Sequence, residues 1–212
     1  MRSASRSKSS RIDPATGGAA RQRIVTEARR HFLAHGFRGV TMDDLAAEMG
    51  MSKKTLYTHF ASKSVLLEAV IEDKLRAVDL DLGRVATASA ADFAAALPHL
   101  LACVREHSEE LQPSFLRDMA REAPELFARV QTRRRALIQR HFGKLLGEGR
   151  KAGIIRKDIT TDLMIEILVG ATDALMNPQK LSQLNLSAKI CLSAIIAIFL
   201  EGVVTGKGRR KP

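Results

Sequence analysis

Apolar residues recur at steps of three and four along almost the whole chain, and the period-two alternation of a strand is nearly absent. The pattern predicts an all-α protein. The first stripe is Ile24, Ala28 and Phe32, widened by Val25 and Leu33. It predicts a helix from Ala19 to His35, with Gly36 at the C′ position. Thr41-Met42-Asp43-Asp44 reads as a capping box with Asp in place of the usual Glu. It opens a helix to Met49 that buries Met42, Leu45, Ala46 and Met49. Gly50 can take the positive φ that ends this helix, and Ser52 can cap the next, a very short one with Leu56 and Phe60 on its underside. Ser62 opens a fourth helix, Lys63 to about Gly83, with a continuous stripe of Leu66, Leu67, Val70, Ile71, Leu75 and Val78.

Beyond Gly83 the pattern is less sharp. Val85 to Ala91 is rich in Ala and Ser and reads as a connection. Asp92 can cap a helix that turns Phe93, Leu97, Leu100, Leu101 and Val104 inward, with Pro98 expected to kink it or delay its start. Helices follow from Leu111 to Arg121 and, with Pro124 at N1, from there to Gly149 or Gly153. The last two, Thr161 to Met176 and Ser187 to Val204, are apolar nearly all round and so need cover on more than one side. Two such helices per subunit predict a four-helix homodimer interface, with Leu168, Leu175, Ile195 and Phe199 facing the partner.

Charge adds a partner class. The 212 residues carry a formal net charge of +11, which calls for a polyanion. Residues 1–18 are a basic Ser/Arg-rich tail, either a solubilising segment or an arm that follows phosphates or enters a minor groove. Residues 206–212 form a second basic tail. No apolar segment follows Met1, and the longest apolar run, Ile190 to Leu200 broken by Ser193, is too short for a bilayer. Cys103 and Cys191 do not resemble a disulfide framework, so a cytoplasmic protein without membrane association is expected.

Catalytic and metal chemistry find little support. His31 and His35 lack a third ligand, and His99, Cys103 and His107 extend over about 12 Å of helix, too far for one ion. No nucleophile–base spacing, Gly-rich phosphate loop or metal signature is present, so neither an enzyme nor a cofactor or metal is expected. The exposed aromatic platforms of RNA-binding modules are also missing.

The short helix after Ser52 carries the sharper signal. With Leu56 and Phe60 inward, its outer face is Lys53, Lys54, Thr55, Tyr57, Thr58 and His59: two cations and four hydrogen-bonding groups, suited to a DNA major groove. The frame Thr41…Leu45-Ala46…Met49-Gly50…Ser52…Thr55-Leu56-Tyr57…His59-Phe60…Lys63…Leu66-Leu67 resembles the N-terminal domain of the tetracycline-repressor (TetR/AcrR) family over roughly residues 20 to 75. The resemblance implies a three-helix helix-turn-helix domain, residues 19–83, followed by a larger helical effector-binding and dimerisation domain, residues 84–205. It implies a homodimeric regulator, most simply a repressor, that binds a double-stranded palindromic operator and is released by a small molecule. Carried over by residue, Lys53, Lys54, Thr55 and Thr58 stand at base edges, and Thr41, Tyr57, His59 and Lys63 on the phosphate backbone.

By the same analogy Leu97, Leu101, Phe115, Met119, Phe127 and Met164 wall a pocket for a largely apolar effector. Arg117, Arg121 and the run Arg133-Arg134-Arg135 would suit an anionic effector, but read more readily as solvated faces. The alternative function is a basic DNA-coating or architectural protein whose binding is insensitive to sequence.

Overall fold

The computed structural model describes residues 14–88, 93–109 and 111–204, which form ten helices. In order they are α1 (Pro14–Gly39), α2 (Met42–Glu48), α3 (Lys53–His59), α4 (Lys63–Ala88), α5 (Phe93–Glu109), α6 (Pro113–Glu122), α7 (Pro124–Lys151), α8 (Thr161–Leu175), α9 (Pro178–Leu184) and α10 (Ala188–Val203). The all-α expectation holds; among the described residues the one β feature is an isolated antiparallel bridge between Ile155 and Val204. The expectations for residues 1–13, the Asp92 cap and the tail at 206–212 lie outside the described residues, as does the side chain of Leu97.

The first four helices close on one apolar centre. Ile24, Ala28, Phe32, Leu45, Leu56, Phe60, Leu66 and Leu67 are all buried. Each fully buried side chain of this size contributes roughly 1.5–3 kcal/mol. Phe32 and Phe37 meet edge to face at 5.4 Å between ring centroids, a favoured aromatic geometry. The Arg23 guanidinium donates to the Met49 carbonyl at 3.1 Å, satisfying an acceptor at the end of α2 that has no partner along the helix. α1 begins at Pro14, earlier than the apolar stripe alone suggested. Its regular run ends at Gly36, as expected, where φ 78° and ψ 158° break the helical path.

α4 differs most from expectation. It continues five residues past Gly83, into the supposed connection, and so belongs to both halves of the chain. Its first turns pack on α1, and the same helix packs against α5 and α7. α6 lies between α1 on one side and α7 and α9 on the other. Pro98 sits inside α5 on an exposed position without ending the helix. α9 was not anticipated, although its start is conventional: the Asn177 side chain accepts from the Lys180 amide, and Pro178 occupies the first turn.

The final pair of helices corrects the expected dimer face. Leu168, Ile195 and Phe199 are buried in their own subunit, and Leu175 is half-buried. The outward stripes are instead Leu163, Ile167, Gly170 and Ala174 on α8, and Ile190, Ala194, Ala197 and Ile198 on α10. A helix apolar on all sides has no polar stripe to fix its rotation, so periodicity alone could not choose between these faces.

Candidate DNA-binding surface and effector cavity

α3 is built to present its outer face. Ser52 caps it, accepting from the Thr55 amide at 3.1 Å, and the two hydroxyls lie 2.8 Å apart. Leu56 and Phe60 have no exposure and fix the rotation of the helix. Lys53, Lys54, Thr55, Tyr57 and Thr58 therefore face solvent together, with His59 half-buried beside them. The side chains are not equivalent. The Lys53 ammonium is 2.5 Å from the Asp43 carboxylate on α2, and the Thr58 hydroxyl donates to the Lys54 carbonyl at 2.8 Å. The Lys54 ammonium makes no hydrogen bond or ion pair among the described residues, and Tyr57 is 48% exposed.

Two of the expected phosphate contacts sit differently. The Thr41 hydroxyl donates to Asp44 Oδ2 at 2.6 Å and accepts from the Asp44 amide. This completes the capping box and holds the Asp44 carboxyl below its ordinary value. Lys63 does not share the α3 face. Its ammonium lies 4.3 Å from the centre of the Phe37 ring, where burial pushes its pKa down against the opposing charges of Asp118, Glu122 and Asp44. Asp118, on α6, also accepts from the Arg38 amide at 3.0 Å. A Cβ at Gly36 would lie 2.9 Å from the same carboxylate. A glycine and a backbone amide of α1 thus meet one acidic side chain from the other half of the chain, and its charge is felt at Lys63.

The far side of α6 faces a cavity. Phe115, Leu116 and Met119 form part of the wall of a space of about 180 Å³ bounded by α4, α5, α6, α7, α8 and α10. Of the anticipated lining residues, Phe115, Met119 and Phe127 are present. Met164 is packed in the core, and Leu101 lines an adjoining pocket against α10. The polar wall residues were not foreseen. Lys74 lies on the apolar stripe of α4 at helical spacing from Ile71 and Val78, so its position was readable in the sequence. Arg134 was expected on a solvated face, but its side chain is only 24% exposed, whereas Arg133 and Arg135 are 47% and 45% exposed. Behind the wall, His141 and Arg140 on α7 hold the Asp79 carboxylate of α4 at 2.8 and 3.0 Å. Cys103 is buried and its thiol pushed up to about 11, so it offers no thiolate beside His107, which meets Asp81 at 3.1 Å.

Residues 24–70 match the family profile described as bacterial regulatory proteins, tetR family. Residues 24–70 are thus a DNA-binding segment of the tetR type. The chain's likeness extends past the matched segment. The HTH-type transcriptional regulator YvaF of Bacillus subtilis is 24% identical over 188 residues, 86% of this chain and 94% of its own. The HTH-type transcriptional repressor SCO4008 of Streptomyces coelicolor is 27% identical over 76% of this chain and 81% of its own. Among solved structures, SmeT, the repressor of the Stenotrophomonas maltophilia multidrug efflux pump SmeDEF, shares the fold with a TM-score of 0.62 at 19% identity. That alignment covers 92% of this chain and 95% of SmeT, which is also known in a complex with triclosan.

The matched segment and the regulators it resembles support a DNA-binding transcriptional regulator, and the DNA-coating alternative is not favoured. Regulators of the tetR family bind operators, act as dimers and bind small-molecule effectors. The relatives are transcriptional regulators rather than enzymes. Among the described residues no single helix is long and apolar enough to cross a membrane.

Proposed function

We propose that this chain is a dimeric cytoplasmic repressor that leaves a palindromic operator when a largely apolar small molecule occupies the cavity. The observation that carries the reading is the two-faced α6, whose Phe115, Leu116 and Met119 wall the cavity while Asp118 holds the N-terminal helices. A molecule that shifts α6 changes the grip on Arg38 and Lys63, and with it the seating of α3. Residues 19–83 act as the DNA-reading unit and the following helices to 205 as the sensing and pairing unit, with α4 common to both.

On the operator, Lys54, Thr55, Thr58 and Lys53 read base edges, because residues at the start of a recognition helix reach deepest into the groove. Of these Lys54 is the strongest candidate, since Lys53 must first leave Asp43. Tyr57, His59 and Thr41 take the backbone. Lys63 is reassigned to the junction with α6, where its charge is engaged. The basic tails add phosphate attraction without sequence preference.

The partner subunit covers Leu163 and Ile167 of α8 and Ile190 and Ile198 of α10. Gly170, Ala174, Ala194 and Ala197 let the helices approach closely across a two-fold axis. The test of effector control is reciprocal titration. Compounds found by thermal shift should weaken operator binding by the same factor by which operator weakens theirs. Cavity binders whose affinity is identical with and without operator would remove the effector role.

A further inference from the structure

The polar residues on the cavity wall, Lys74, His107, Ser108, Gln131, Arg134 and Thr172, turn their hydrogen-bonding atoms into the protein rather than into the space. The Ser108 hydroxyl donates to the Val104 carbonyl at 2.7 Å, and the Thr172 hydroxyl to the Val169 carbonyl at 2.8 Å. His107 Nε2 meets Asp81 at 3.1 Å, and a terminal nitrogen of Arg134 donates to Asp173 at 2.6 Å. The Arg134 Nε is sealed from solvent and cavity alike, and Lys74 is also engaged within the chain. Gln131 makes no hydrogen bond among the described residues, but it is half-buried, so water can serve its amide without a guest. What faces the space is hydrocarbon, including the rings of Phe115, Phe127 and Phe142 and the thioether of Met119. A water placed there would lack the two to four polar partners it needs, so the space favours an apolar guest over water. A carboxylate or an ammonium would be dehydrated with no free countercharge to receive it. Phenyl rings and a thioether add ring–ring and sulfur–ring contacts for an aromatic guest.

We infer that the cavity takes a neutral hydrocarbon built on a single ring, alkyl- or halogen-substituted, and excludes ionised compounds. As a statement about the effector, this rests on the effector role proposed above. The cavity, at about 180 Å³, exceeds the roughly 150 Å³ that holds benzene, so a ring with one or two further carbons fits, about seven or eight in all. Such a guest asks for no hydrogen bond, and the wall has none to give. Phosphorylated and carboxylated metabolites are thereby excluded from the site.

The test uses the full-length protein at about pH 7.5 and calorimetry with ethylbenzene, acetophenone, benzoate and benzylammonium, which are of near-equal size and differ in head group. Ethylbenzene should bind at least about fivefold tighter than acetophenone and at least about tenfold tighter than either ion. Ser108→Ala and Thr172→Val remove the wall hydroxyls and should leave ethylbenzene affinity within about twofold. Val130→Trp puts an indole into the space and should lower that affinity at least about tenfold. Because Val130→Trp can disturb the fold, the ranking on the unaltered protein is decisive by itself. Acetophenone or either ion binding as tightly as ethylbenzene, or ethylbenzene failing to bind, overturns the proposal. So does a folded Val130→Trp protein that keeps full affinity, or a folded hydroxyl variant that loses it. Operator affinity is measured in parallel. Ions that release DNA while ethylbenzene does not would leave effector control standing and remove the neutral class. Ethylbenzene that binds in the cavity yet leaves operator affinity unchanged would support the neutral site and overturn its role as effector.

Discussion

Replacing Gly36 with alanine strikes the junction between the DNA-reading helices and α6 from two directions. The backbone at φ 78° and ψ 158° lies in a region essentially confined to glycine, and an L residue held there costs about 1–3 kcal/mol. The new Cβ would also stand 2.9 Å from Asp118 Oδ2, closer than real contacts allow. The carboxylate is the end of a flexible side chain and can move, but only by giving up the Arg38 amide. A hydrogen bond to a charged group contributes roughly 1.5–3 kcal/mol, and less where water replaces it, as at this exposed position. A loss of about 2–4 kcal/mol is therefore expected for Gly36→Ala, read as a lower urea midpoint. In an Asp118→Ala background the clash is gone and the bond already lost, so alanine at 36 should cost about 1 kcal/mol less. That difference is the double-mutant coupling energy. Operator affinity measured on the same four proteins should fall in the same order. Additive effects within about 0.5 kcal/mol, or a Gly36→Ala protein as stable as the parent, would refute the claim that Asp118 and Gly36 are in working contact.

Further outcomes follow from the other surfaces. Lys54→Ala should cost about 1–3 kcal/mol at particular base pairs, whereas Lys63→Ala should leave the salt slope of operator binding unchanged, checked by titrations on operator and random DNA. The sole tyrosine, Tyr57, with no tryptophan in the chain, should report operator binding directly through its emission. Ile198→Glu, at a residue 74% exposed in the subunit, should split the dimer into folded monomers in sedimentation. Leu168→Glu, at 2% exposure, should unfold the domain. Asp79 is held below the usual carboxylate range chiefly by its hydrogen bond from His141, with Arg140 adding to it. Its stabilisation is complete above about pH 4 and is lost as pH falls through the depressed native value. Asp79→Asn should accordingly flatten the acid limb of the stability profile.

The fold was largely legible because its cues are local. Thr41 and Asp44, Ser52, Gly50 and Pro124 each fix a helix end within a few residues, and all five act as read. The outer face of α3 was equally readable, since Leu56 and Phe60 leave only one side for the rest. What failed depended on contacts between distant segments. The resemblance places Lys63 on the phosphate backbone, and its own helix says nothing of the Phe37 ring and α6 acids that surround it. Arg134 was indistinguishable from Arg133 and Arg135 in a run of three, and only the packing of α7 against α8 turns it inward. The exposed face of α10 differs from its core face by rotation alone, which an all-apolar stripe does not encode.

The unbroken passage of α4 from the reading unit into the sensing unit has a geometric consequence. Its 26 residues make a rod about 39 Å long. A tilt of about 4° at the cavity end would swing the other end by roughly 3 Å, enough to carry a side chain out of reach of a base. The same rigidity makes its length a phase. One residue inserted near Gly83 would turn everything before it by about 100° around the helix axis. Loop residues 152–160 can absorb an insertion without rotating either unit, so natural variation in length should collect there and leave α4 untouched.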